Sequence, residues 1–175
     1  IKLKGSSILK SQLIVLDILA HNNWERPVYF VTGYHNDAFG LEEYFQLEGL
    51  AYRLVPVKSQ NKSWLDYGRI DTDILYDNMI KKFVWGGARE KGVNIDYNHK
   101  RTLIVVKARM NYARLAKAYI TEGKNEKALE VLDYCMETLP LDKLSYDPYV
   151  ADVIEAYFAA GAAEKALAMS QAMTD

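Results

Sequence analysis

The residues best able to do chemistry are thinly spread in this chain. Its three histidines, His21, His35 and His99, lie in separate segments without the paired spacing that zinc ligands need. No glycine-rich phosphate loop, nucleophile elbow or dinucleotide fingerprint is present. The expectation is therefore no metal and no cofactor. A histidine and several carboxylates cluster at one place, His35-Asn36-Asp37 with Glu42 and Glu43. That group reads as a solvated loop, with a cation or sugar site as the alternative. Cys135, the single cysteine, has no histidine near it in sequence and reads as a small buried hydrophobe rather than a nucleophile.

Aromatic residues are the richer resource, with 13 tyrosines and 3 tryptophans. Flat apolar rings beside hydroxyls and carboxylates are what sugars and peptides stack on. Most of these rings read as core, but Trp24, Trp64 and Tyr67 fall in or beside loops. Trp64, Asp66 and Tyr67 stand together in a polar stretch and form the candidate carbohydrate contact.

The elements that must position these groups change character near residue 95. Ser6 or Ser7 caps a predicted helix whose apolar residues Ile8, Leu9, Leu13, Leu16, Leu19 and Ala20 follow helical spacing up to Asn22-Asn23. Val28 to Val31 reads as a strand, and its unbroken apolarity predicts burial on both faces. A polar loop spans His35 to Gly40, a helical turn Leu41 to Phe45, and a second strand Leu50 to Val57. Ser59 to Arg69 reads as loop. Asp71 caps an amphipathic helix carrying Ile74, Leu75, Met79 and Phe83, halted at Trp85-Gly86-Gly87. From Tyr97 onward the pattern is helical. The fold class expected is α+β, with a small α/β part over 1–95 and a helical region over 96–175.

That helical region carries an internal repeat. Glu-Lys-Ala-Leu occurs at Glu126 to Leu129 and, 38 residues later, at Glu164 to Leu167, with Tyr119 and Gly123 preceding the first copy as Tyr157 and Gly161 precede the second. Tyr112, Leu115, Ala116, Tyr119, Ala128, Leu132 and Pro140 resemble the tetratricopeptide pattern. Small residues at Ala116 and Ala128 let two antiparallel helices approach, Gly123 ends the first helix and Pro140 the second. The second copy is looser: Ile154 replaces the small residue, Ser170 a large one, and no proline follows Met173. Hairpins are thus predicted over about 107–140 and 147–173, with the surplus length in Leu141 to Pro148. The inner face of such hairpins, here Met110, Arg114, Lys117 and Ile120, is the candidate peptide- or partner-binding surface.

Three longer words carry a further likeness. Asn23-Trp24-Glu25-Arg26-Pro27-Val28-Tyr29-Phe30, then Glu43-Tyr44-Phe45-Gln46-Leu47-Glu48-Gly49-Leu50-Ala51-Tyr52-Arg53-Leu54-Val55-Pro56, then Thr72 to Asn78 through Phe83, Trp85 and Gly86, resemble one family region. It is the C-terminal extramembrane part of large bacterial multi-spanning membrane proteins of unknown function that are similar to protein O-mannosyltransferases. The likeness covers nearly the whole chain, repeats included. It implies a parent with many membrane helices, a glycosyltransferase using a lipid-linked sugar, and this piece on the periplasmic face of the inner membrane. Such enzymes carry their acidic catalytic residue in an early extracytoplasmic loop of the membrane half, so no catalytic residue is carried over.

Composition agrees with a non-catalytic piece. Half of the residues are hydrophobic and the net charge is −1, which gives no electrostatic reason to expect nucleic acid or an anionic membrane as partner. Apolar runs such as Leu13 to Leu16 and Leu103 to Val106 are too short to span a bilayer or to form a signal peptide. A start at Ile1 and an end within a helical pattern suggest a piece of a longer polypeptide. The expected function is a non-catalytic periplasmic interaction or scaffold domain whose partner is the membrane-embedded remainder of the same polypeptide, a peptide or a glycan. The alternative is a carbohydrate- or acceptor-binding part of a glycosyltransferase site.

Overall fold

The computed structural model describes residues 7–31, 40–59, 67–144 and 147–173. The fold is α+β, and its contacts divide the chain into two units, Ile1–Arg69 and Ile70–Asp175. The sequence-based change of character near residue 95 thus differs from the division by contacts at Arg69. The helix capped by Asp71 groups with the later helices because Tyr119 and Tyr112 donate their hydroxyls to the carbonyls of Thr72 (3.2 Å) and Met79 (3.3 Å).

The first unit begins with α1, Lys10–His21. Its start is fixed by Gln12, whose side-chain oxygen accepts from the Leu9 N–H at 2.9 Å, and not by the expected serine cap; Ser6 lies outside the described residues. The helix ends at Asn22, and Asn23 and Trp24 follow with φ of 48° and 60°. Strands β1 (Tyr29–Val31), β2 (Phe45–Leu47), β3 (Ala51–Leu54) and β4 (Arg69–Ile70) form a sheet of order β1-β3-β2-β4. A single 3-10 turn, Glu42–Tyr44, leads into β2.

Alternation of side chains across the antiparallel pairs sorts this sheet into two faces. Tyr29, Arg53 and Gln46 share one row, because Arg53 is opposite both of the others. The other face carries Phe30, Phe45, Leu47, Tyr52 and Leu54, and Tyr67 packs on it against Phe45 and Tyr52. The ring centroids of Phe30 and Phe45 are 4.8 Å apart and those of Tyr52 and Tyr67 4.7 Å, within the range where aromatic pairs attract. β1 does not have the two buried faces its apolar run predicts: Tyr29 and Val31 are exposed. The strand ends the strand order and pairs antiparallel with β3, a position where β-branched and aromatic residues suit the pleat whether or not they are covered. The second predicted strand is shorter than expected, and β2, read within the preceding helical turn and word, is its hairpin partner.

In the second unit, Asp71 caps α2 (Thr72–Tyr76) by accepting from the Ile74 N–H, and the helix continues in π geometry over Asp77–Lys82. Asp96 caps α3 (Tyr97–Val105). Helix does not run on unbroken from there, because Lys107 adopts left-handed φ 56° and re-aims the chain into α4 (Ala108–Thr121).

Two helical hairpins follow, α4 with α5 (Asn125–Thr138) and α6 (Val150–Ala159) with α7 (Ala163–Gln171). Their turns are built alike. The Gly123 N–H donates to Ile120 O and the Lys124 N–H to Tyr119 O; the Gly161 N–H donates to Phe158 O and the Ala162 N–H to Tyr157 O. Gly123 and Gly161 have φ of 74° and 90°, the left-handed region that a side chain resists. Ala116, Ala128, Ala156 and Ala166 are each fully buried, as close helix packing requires.

Between the hairpins lies a buried charge pair. Arg109 of α4 donates Nη1 to Asp147 Oδ2 at 2.7 Å, and Nη2 to the carbonyls of Leu139 (2.8 Å) and Leu144 (2.6 Å). Asp147 Oδ1 also accepts from the Tyr149 N–H at 2.8 Å. Both side chains are 0–1% exposed. One guanidinium therefore holds the end of α5, the link that follows it and the approach to α6.

Candidate binding cavity

Left-handed backbone on two consecutive residues with side chains is uncommon, and a bulky residue there is strained. At Asn23-Trp24 the turn is held by the Glu25 N–H donating to Asn22 O and by Asn22 Nδ2 donating to Arg26 O at 2.8 Å. Its result is a tryptophan 60% exposed. A cavity of about 960 Å³ lies within the first unit beside that indole. Leu19, Asn22 and Trp24 line it from the end of α1, and Gly40 to Tyr44 from the 3-10 turn. Leu54, Pro56 and Lys58 supply the remainder from β3 and the chain beyond it.

The lining is an apolar floor with a few polar groups, as is usual in ligand sites. Leu41 is buried and Trp24 and Tyr44 contribute rings. Glu43 is paired with Lys58 at 2.8 Å, and the carboxylate's hydrogen bond holds the Lys58 ammonium pKa above its ordinary value. The Glu42 carboxylate makes no hydrogen bond or ion pair among the described residues, while its backbone carbonyl accepts from the Phe45 N–H. The cavity thus combines an exposed indole, a phenol ring and one uncommitted carboxylate.

The residues singled out from sequence reach different places. Trp64, Asp66, His35, Asn36 and Asp37 lie outside the described residues. Tyr67 is 5% exposed, its ring packed on Phe45 and Tyr52, so it serves the core of the sheet. Glu42 and Glu43 do line the cavity, and Trp24 joins them. Tyr44, Leu41 and Lys58 were not singled out, although their position beside Glu42 and Glu43 or across the hairpin is the signal that finds them.

Of the inner-face residues, Met110 and Arg114 are buried, and Lys117 and Ile120 half-buried. Lys117 forms ion pairs with Asp152 (3.6 Å) and Glu155, both on α6. Because α6 packs on α4, the chain itself supplies the acidic partners of Lys117.

Other titratable clusters are self-contained. Glu48 accepts from Tyr29 Oη and Gln46 Nε2, each at 2.7 Å, and lies 3.7 Å from Arg53. Burial, then the bond to Glu48, raises the Tyr29 pKa. Cys135 is buried and its thiol is pushed up to about 12 by loss of solvent, which leaves it protonated and unreactive at neutral pH. Among the described residues no group of three or more His, Cys, Asp or Glu is placed to hold a metal ion.

One more surface distinguishes the first unit. α1 has apolar residues on nearly its whole circumference, yet none is buried: Leu9, Leu13, Ile14 and Ile18 are about half exposed. Among the described residues no helix is long and apolar enough to cross a membrane.

Comparison with curated proteins and with solved structures finds no match. Residues 1–74 match the family model described as TMEM260-associated domain 2, which covers α1, the described sheet and the cavity. The first 74 residues are thus similar to a domain whose description associates it with a membrane protein, and the match covers less than half of the chain.

Proposed function

We propose that this chain is a non-catalytic interaction or scaffold domain of a larger membrane protein. The observation that carries the reading is α1, a helix apolar nearly all round with none of its residues buried. A helix of that composition is covered in its working state. It lies in the segment that matches a domain named for a membrane protein, and the cover we assign is the membrane-embedded remainder of the same polypeptide. The paired helical hairpins, tetratricopeptide-like in their turns and small-residue crossings, supply the stiff body of the scaffold. We place the domain on the periplasmic face, in a parent resembling a glycosyltransferase that uses a lipid-linked sugar.

The test is photocrosslinking in the full-length protein in its membrane, with a benzophenone amino acid at Leu13 or Ile14. Crosslinked peptides from membrane-embedded segments of the same chain are the expected result. Crosslinks confined to lipid, or none at all, would overturn the reading. A second reading, a carbohydrate- or acceptor-binding part of a transferase site, is favoured by one observation, the exposed Trp24 at the cavity.

A further inference from the structure

The cavity of the first unit has a chemical preference that its shape alone does not express. Its aromatic groups, Trp24 and Tyr44, present π faces, and the best of these for a cation is the indole, here 60% exposed. Among the described residues its carboxylates, Glu42 and Glu43, outnumber its one cation, Lys58. Lys58 is spent on Glu43, and the Glu42 carboxylate has no partner among the described residues. The chain also holds the exposed Trp24 on left-handed backbone, φ 60°, after Asn23 at φ 48°. Strain of that kind persists where the surroundings over-determine it, and such positions concentrate at ligand sites.

We propose that this cavity receives the side chain of an arginine from a partner polypeptide. A guanidinium stacks its plane on an indole and offers a fork of N–H donors to a carboxylate, which an ammonium does less well and a neutral ligand does not do at all. Its methylenes lie over Leu19, Leu41 and Pro56. Glu42 is the first acceptor, because its carboxylate is not engaged by Lys58. Glu43 becomes a second one only when Lys58 withdraws, so Lys58 acts as a built-in competitor for the incoming cation. The inference rests on reading the chain as an interaction domain and adds the chemistry of what it grips.

The test uses the 175-residue chain and two short peptides, acetyl-Gly-Arg-Gly-amide and its citrulline counterpart, which keeps the shape and loses the charge. The readout is the NMR shift of the Trp24 indole N–H against peptide concentration. A saturable shift with the arginine peptide is expected, weakening as salt is added. The citrulline peptide should bind at least about ten-fold more weakly, given the usual strength of charge-assisted and cation–π contacts. Glu42→Gln should weaken the arginine peptide several-fold.

Lys58→Ala should tighten it, an outcome that a merely misfolded variant does not produce. Equal binding of both peptides, displacement by a neutral methyl glycoside at the same concentration, or an unchanged or weaker Lys58→Ala would overturn the assignment. The crosslinking experiment on α1 is independent of all of these, so failure here leaves the scaffold reading standing, and the converse also holds.

Discussion

Replacing Asp147 with Ala removes the anion from a guanidinium that solvent does not reach. Arg109 keeps carbonyl acceptors that include Leu139 and Leu144, but these carry only partial charge, and the buried carboxylate 2.7 Å from its guanidinium is lost. Breaking a buried pair in this way costs about 3–5 kcal/mol. Loss of the Asp147 bond to the Tyr149 N–H adds about 1 kcal/mol. The change acts on the second unit, for which a domain of its size loses about 4 °C of melting temperature per kcal/mol, so a drop of about 20 °C follows.

Urea denaturation read by helical circular dichroism gives the free energy directly. The double variant Arg109→Met with Asp147→Leu removes both charges and should recover part of the loss, because no unpaired ion remains. A single-variant cost below about 1 kcal/mol would refute the reasoning. It would mean that water or a shifted backbone replaces the carboxylate, as at a surface pair.

Further expectations can be checked on the same chain. Ala128→Leu forces extra methylenes into a helix crossing where the native side chain is fully buried and should cost about 1–3 kcal/mol, whereas Glu126→Ala, exposed on the same turn, should change a thermal melt little. Gly123→Ala and Gly161→Ala meet no neighbouring atom within 4 Å, so each should cost only the left-handed penalty, about 1–2 kcal/mol, and by similar amounts in urea titrations. The Cys135 thiol, raised by burial from 9.0 to about 12, keeps its proton in the folded state over a window where the unfolded chain loses it. Its share of stability is therefore complete below pH 9 and falls as pH rises toward 12; the urea midpoint should decline over that range, and Cys135→Ala should flatten the decline. Incubation of the chain with a polyprenyl-phosphate sugar and an acceptor peptide should give no transfer, and turnover in that assay would contradict the scaffold reading.

The hairpin turns were legible from sequence because their signals are local. A tyrosine, a glycine four residues on and an alanine five residues beyond that fix a helix end, a left-handed residue and a close crossing within one stretch of chain. The sheet was harder. Val28 to Val31 announces a strand, but whether its faces are covered depends on which strands pair with it, and the chain meets its partner β3 only after a long excursion. The three residues of β2 are too few to show a period.

Arg109 and Asp147 gave no local sign of their role either. Each looks like a surface charge, and only their meeting across 38 residues buries them. At the cavity, the carboxylates and the loop tryptophan were visible as types. The strained turn that turns Trp24 outward was not, since nothing in Asn-Asn-Trp-Glu demands two left-handed residues in succession.

The open edge of the small sheet has one more consequence. β1 ends the strand order, is three residues long and follows Pro27, which has no N–H to offer. An exposed edge bearing Tyr29 and Val31 is the kind of template on which copies of a protein assemble into fibrils, and short edges with a flanking proline are how such growth is discouraged. Lengthening β1, for example by Pro27→Val, should therefore shorten the lag time of aggregation under agitation while leaving the fold of the monomer intact.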